Sequence, residues 1–404
     1  MNVKRNINLM LLYKFLKGLM FYLPIYTLYL QKELFTVFNV TLIVAIGSIS
    51  IIIFEVPSGA IADLFGRKKT IVLSSIISVF SLIFLLIGGN ISMFIVYNIL
   101  ISLAQSLLSG TDTAIIYDTL KGSDKKKELF ALSESPLQFK ELPDDLKLSF
   151  KKIIGLNNSM WPLGASISSL IGGFLATKSL RLPIIVTVIP FTLSVIIALL
   201  LEEPNYEKET HKNVFKHINE SIKISLKSKQ LLLLLFIGFI FFASGEVAHK
   251  LKPIFYESKG LPIESFGIIY MIMFATGFLG AYYSDWFSRK IGDKNTLILS
   301  VITRSTLFIV ATLITGLGSA LLIAITSFFW MVRWPIITDL INKEFKSKNR
   351  ATIISFNNLI RHLGVVIFAP ILGLMSDLFN INLVFQISIG MGLIGLIGVF
   401  FIKF

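Results

Sequence analysis

The chain has 404 residues, 54% of them hydrophobic and only 15% charged, with a net charge of +14. Water-soluble domains sit near about 45–50% apolar and about 25% charged. The composition therefore excludes a disordered chain, a collagen-like fibre and an ordinary soluble enzyme, and the lack of cysteine removes disulfides, thiolate nucleophiles and cysteine–metal sites.

A transmembrane helix needs roughly 20 mostly apolar residues. Twelve such runs are found, at 7–29, 38–61, 70–89, 91–113, 153–177, 182–201, 231–250, 264–285, 296–315, 319–340, 352–376 and 381–402. Their Leu/Ile/Phe content, without strict alternation, argues for helices rather than barrel strands. The first run follows Lys4 and Arg5, as a signal peptide would. It lacks a small-residue cleavage site and outlasts an h-region, so it is expected to be retained.

Twelve spans put both termini on one side. With that side cytoplasmic, the inner segments hold 27 of the 38 Lys and Arg, and the outer loops hold Lys32, Lys178, Arg181, Lys250, Lys252 and Lys259. This asymmetry sets the expected orientation, in a plasma (inner) membrane with both termini cytoplasmic. It also accounts for the basic balance without a nucleic-acid partner.

The polar stretch 202–230 divides the chain into 1–201 and 231–404, six spans each. Within it Val214, Ile218, Ile222 and Leu226 recur every four residues between lysines. That pattern fits an amphipathic helix on the inner membrane surface or a solvated tether. Segment 118–152 is lysine-rich and broken by Pro136 and Pro143, so it is expected to be irregular or partly helical.

Between spans 2 and 3 the chain reads Gly59-Ala-Ile-Ala-Asp63-Leu-Phe-Gly66-Arg67-Lys68-Lys69. Gly66 permits a tight turn, the basic run suits an anionic lipid surface, and Asp63 could accept hydrogen bonds from the N-terminus of a neighbouring helix. After span 8, Gly280-Ala-Tyr-Tyr-Ser-Asp285-Trp-Phe-Ser288-Arg289-Lys290 echoes it. The first segment resembles the signature loop of the major facilitator superfamily, G-x-x-x-D-x-x-G-[RK]-[RK], at the place where that family carries it. The ends of spans 4 (Ser109–Asp118) and 10 (Arg333–Asn342) are similar to a large bacterial branch of the same family.

With the 6+6 layout, the resemblance covers essentially the whole chain. It implies an all-α membrane protein with twelve helices in two pseudo-symmetric six-helix bundles, working as a monomeric secondary transporter by alternating access. It further implies that Gly59, Asp63, Gly66, Arg67 and Lys68, echoed by Asp285 and Arg289, form a latch with the start of span 11 near Arg350 to Ile354. Gly164 to Gly173 resembles the Gly-rich helix of the family's antiporters. Ser168-Ser169 stands where those carry Gly-Pro, and close packing at Gly172 and Gly173 accounts for the glycines equally well. Span 4 lacks the arginine that many proton-coupled members carry.

Ionisable residues inside apolar spans face a partner or a cavity. Lys14 and Lys17 are three apart on span 1 and share a face. Glu246 and His249 lie on span 7, the mate of span 1, and are either a proton-coupling pair or a structural Glu–Lys site. Arg361 and His362 lie mid-way along span 11, where a fixed guanidinium suits a carboxylate or phosphate or pairs with Glu246. Glu55, Asp112, Arg333 and Asp339 read as gate or packing charges, with Arg333 also a substrate candidate. Arg304 on span 9 is peripheral by the resemblance. Tyr22 and Tyr26, with Tyr13, Phe21, Trp161, Trp330 and Trp334, supply aromatic lining or bundle packing.

Lys17 and Arg361 outnumber Glu246, so an anionic or zwitterionic amphipathic substrate is favoured. Proton-coupled efflux of cationic or hydrophobic drugs stands as the alternative, as do a membrane-embedded enzyme and a transport-dead receptor or scaffold of the same fold. There is no P-loop, zinc-protease motif, G-x-S-x-G or His/Asp cluster. No cofactor or metal is expected, and a proton or sodium gradient is the expected drive.

Overall fold

The structure is a computed structural model. It describes residues 2–121, 144–204, 228–343 and 350–402, without the side chains at 56, 60, 63, 121, 144–152, 342, 343 and 350–355. Among the described residues, twelve helical segments are long and apolar enough to cross a membrane. In order they are Val3–Leu34, Val37–Glu55, Arg67–Ile87, Ile91–Leu120, Ile153–Ala176, Leu182–Leu200, Lys229–Lys250, Glu264–Ile291, Asp293–Leu313, Gly316–Ile341, Phe356–Leu378 and Ile381–Val399, taken below as spans 1 to 12.

Helix is what a chain of this composition must form in lipid, because each backbone polar group has to be satisfied within its own segment. Side-chain placement follows the same solvent. Large apolar residues such as Ile53, Phe80, Ile189, Leu313 and Ile397 lie on the outside. Ser74, Ser75, Ser78 and Ser81 of span 3 are buried, and the last three return their hydroxyls to carbonyls of their own helix.

The two halves pack alike. Span 1 contacts spans 5 and 6, span 2 contacts span 4, and span 3 contacts spans 4 and 6. In the second half span 7 contacts spans 11 and 12, span 8 contacts span 10, and span 9 contacts spans 10 and 12. Adding six to each number turns one set into the other, so the twelve helices form two pseudo-symmetric six-helix bundles. The major contacts between bundles are span 2 with span 11 and span 5 with span 8, and the same symmetry exchanges these too.

Three spans depart from single runs. Span 1 stops at Gly18 and resumes as helix at Tyr26, with a turn carrying Pro24 between. Proline lacks the donor that would continue the ladder. Span 4 breaks at Ser109-Gly110, where Gly110 has φ +75°. Span 7 ends at Lys250 and is followed by a short helix, Lys252–Ser258. The helix containing span 5 begins at Asp144, inside the lysine-rich segment. The repeat Val214 to Leu226 lies outside the described residues.

The bundles are joined at the end remote from the termini. The Thr27 hydroxyl donates to the Lys250 carbonyl at 2.6 Å, and Lys32 pairs with Glu257 at 2.6 Å. The Asp377 carboxylate, at the end of span 11, accepts from the backbone N–H groups of Val37 and Phe38 at 2.8 and 2.7 Å. It thereby caps span 2 across the interface, where the helix N-terminus favours negative charge. Spans 5 and 8 touch backbone to backbone: a Cβ on Gly267 would lie 2.4 Å from the Ser169 carbonyl oxygen, and one on Gly173 would lie 2.8 Å from the Gly267 nitrogen. Gly172 instead packs on the Phe21 carbonyl within the first bundle.

Candidate functional site

At the end that carries the termini, the helix through span 2 runs to Phe65, turns on Gly66 alone (φ +105°), and span 3 begins at Arg67. The backbone N–H groups of Arg67 and Lys68 donate to the Glu203 carboxylate at 2.6 and 2.9 Å. A Cβ at Gly66 would lie 2.9 Å from that carboxylate, so the turn needs glycine twice over, for its φ and for this approach. The Arg67 side chain pairs with Asp118 of span 4 at 3.5 Å. The expected latch partners, the side chains of Asp63 and of Arg350 to Ile354, lie outside the described residues.

In the second half the chain turns on Gly292 (φ +82°), four residues past Ser288. The sequence echo and the structural turn are therefore out of register by one helical turn. Asp285 and Arg289 pair with each other at 2.7 Å and are exposed.

Inside the first bundle, the charges have local partners. Lys14 forms an ion pair with Asp112 of span 4. Lys17, three residues on, donates to the Ser78 hydroxyl at 2.6 Å and lies 4.2 Å from the Phe191 ring. It is thus directed to spans 3 and 6. Tyr22 bonds to Tyr97 at 2.7 Å, and the Asn98 amide donates to the Tyr26 hydroxyl at 2.9 Å. Tyr26 lies 5.9 Å from both Tyr22 and Tyr97, so the three rings and one amide form a patch of spans 1 and 4.

Between the bundles, Asn358 of span 11 donates to Glu55 of span 2 at 3.1 Å. Trp161 of span 5 meets Phe274 of span 8 at 6.0 Å. One turn along from Asn358, the Arg361 guanidinium lies 4.3 Å from the Phe242 ring and 4.1 Å from the Trp334 ring. Among the described residues its Nε has no hydrogen-bond partner, nor has Nδ1 of His362, whose ring rests 5.3 Å from Phe242. Phe242, Glu246, His249, Trp330, Trp334, Arg361 and His362 are all half-buried.

Glu246 pairs with Lys250 one turn away at 3.5 Å, and its charge also acts on His249, His362 and Arg361. His249 lies 6.4 Å from the Tyr270 ring. This is a polar cluster on spans 7, 10 and 11, built around one acid and one arginine. Glu246 and Arg361, named from sequence as possible partners, both belong to it, but the ion pair Glu246 makes is with Lys250.

Arg333 is fully buried and lies behind this cluster. Its guanidinium sits 4.4 Å from both the Phe241 and Trp330 rings, and among the described residues all three of its nitrogens lack hydrogen-bond partners. Arg304 of span 9 reaches the same indole at 5.1 Å. Trp330 presses on Gly245 of span 7, where a Cβ would fall 1.6 Å from the ring.

Sequence reasoning passed over Phe242, Asn358, Glu203 and Asp377. Phe242 carried a usable signal, lying one helical turn before Glu246. Asp377 and Glu203 carried another, as acids at the ends of long apolar runs.

Comparison with known proteins agrees with this architecture. The family model for the Major Facilitator Superfamily matches residues 10–368. An uncharacterized MFS-type transporter, YxaM, of Bacillus subtilis (strain 168) is 24% identical over 373 residues, covering 90% of this chain and 87% of the relative. A hexuronate transporter of the same organism is 24% identical over 406 residues, covering 91% and 87%. Among solved structures, the nucleoside transporter NupG superposes with a TM-score of 0.77 at 12% identity, over 100% of both chains. A D-xylose–proton symporter gives 0.73 at 14% identity, over 100% of this chain and 98% of that one. With twelve candidate spans in two matching bundles and a family match across most of its length, this chain belongs to the major facilitator superfamily and is a multi-pass membrane transporter, not an enzyme.

Proposed function

We propose that the protein moves a small organic anion, a carboxylate foremost, across the membrane by alternating access, and works as a monomer with its termini in the cytoplasm. The observation that carries this reading is Arg361. Its guanidinium lies against the Phe242 and Trp334 rings, and its Nε has no hydrogen-bond partner among the described residues. A guanidinium with a donor left over suits the two oxygens of a carboxylate. A hexuronate, the substrate named for one relative, is such a carboxylate.

Glu246, beside His249 and His362, is the group on which a proton gradient would act, with sodium as the other drive.

Purified protein in liposomes, with imposed pH and sodium gradients, tests the reading against paired panels of organic anions and cations. Arg361→Gln is expected to weaken carboxylate binding roughly 30-fold or more, the usual cost of removing one partner of a desolvated charge pair. Loss of cation binding with anions untouched would overturn the reading in favour of drug efflux.

A further inference from the structure

The second bundle holds more positive charge than its contacts explain. Arg333 is fully buried, and Arg304 is 6% exposed. Among the described residues neither takes part in an ion pair. Guanidinium stays protonated in proteins, so both are fixed cations in a low-dielectric interior.

Stacking on Phe241, Trp330 and Phe308 offsets part of that cost. Rings do not accept the in-plane N–H groups, and those of Arg333 go unbonded among the described residues. A charge kept this way at the centre of a bundle calls for a compensating charge.

The surroundings say where that charge comes and goes. Trp330 lies against both buried arginines, 4.4 Å from Arg333 and 5.1 Å from Arg304. Its ring lies 5.4 Å from Trp334, which in turn stacks on Arg361 at 4.1 Å. The interior cations are therefore linked to the guanidinium assigned to the anion through two neighbouring indoles, Trp330 and Trp334.

We infer that Arg333, backed by Arg304, is a specificity-determining residue that makes the substrate site anion-selective without touching the substrate. The inference rests on the transport reading given above. The two arginines raise the positive potential at the edge of Arg361, and the apolar walls focus it. A neutral ligand of the same shape gains nothing from this field. A unit charge on the order of 10 Å away, at an effective dielectric near 20, changes anion binding roughly tenfold.

The test uses full-length protein in lipid nanodiscs and a panel of monocarboxylates, glucuronate among them, each paired with its carboxamide. Binding of both members is measured for the wild type, Arg333→Gln, Arg333→Lys, Arg304→Gln and Arg361→Gln. Arg333→Gln is expected to lower the carboxylate-over-amide ratio roughly tenfold with amide affinity unchanged. Arg333→Lys, which keeps the charge, is expected to keep the ratio. Arg304→Gln removes charge from the same layer and is expected to act in the same direction, so the inference stays testable if Arg333→Gln does not fold.

Equal losses for carboxylate and amide would mean a packing role and overturn the inference. So would saturable stabilisation of the wild type by chloride that Arg333→Gln abolishes, since a resident inorganic anion would then be the compensating charge. A ratio that falls in Arg361→Gln but in neither interior variant overturns this inference alone. No carboxylate preference in the wild type overturns the transport reading beneath it.

Discussion

The two bundles share a packing scheme and differ in how they keep charge. In the first, Lys14 has Asp112, Lys17 has the Ser78 hydroxyl, and Arg67 has Asp118. In the second, Arg304, Arg333 and Arg361 lie against aromatic rings, and Glu246 is tied to Lys250. A partner oxygen consumes a donor, whereas a ring covers a face and leaves the edge free. The first arrangement fixes helices to one another, and the second leaves nitrogens of Arg333 and Arg361 without hydrogen-bond partners among the described residues. Symmetry of fold therefore does not carry symmetry of function.

The comparison can be broken at three places. The largest effect is expected in the first bundle. Lys14→Gln leaves Asp112 charged without its cation, held among the described residues only by the Thr113 N–H and hydroxyl, and about 3 kcal/mol of stability should be lost. Adding Asp112→Asn should restore most of it. Thermal unfolding in detergent measures both, and equal losses in the single and double variants would show that the pair does not act as a unit.

In the second bundle the contact to disturb is steric. Gly245→Ala drives a methyl group into the Trp330 ring and should cost about 1–3 kcal/mol, as overpacking does. Trp330→Ala on that background should recover stability and not carboxylate selectivity, which separates the indole's packing from its place beside the arginines.

The smallest effect concerns the joint between the bundles. Asp377→Asn removes a charged cap from span 2 and should cost about 1 kcal/mol. The chain has no cysteine, so Phe38→Cys gives a single thiol at this end. Labelling of that thiol should speed up when Asp377→Asn is added, and an unchanged rate would remove Asp377 from the gate.

How much of this was legible beforehand depends on which physical term decides. Span number and the two-bundle layout follow from hydropathy alone, because lipid leaves the backbone few choices. The breaks at Pro24 and Gly110 carried local signals but fell inside continuous apolar runs. Side-chain direction was the limit. A spacing of three put Lys14 and Lys17 on one face, yet long flexible stems carry their ammoniums to different helices, one to span 4 and the other to spans 3 and 6.

Arg304 shows the same limit from the other side. A peripheral helix still has an inward face, and only the packing of span 9 on span 10 brings Arg304 to Trp330. For Arg361, burial in mid-span pointed to a ligand, and its two ring partners came from helices distant in sequence.

The glycine contact of spans 5 and 8 has a mechanical consequence. Where side chains separate two helices, rotamers can yield by degrees and the interface creeps. At Gly173 and Gly267 no side chain lies between the backbones. Main-chain surfaces in direct touch either mate or part, so this joint behaves as a detent. Opening of the remote end should then include a single click at that small patch, alongside release of the Thr27, Lys32 and Asp377 contacts.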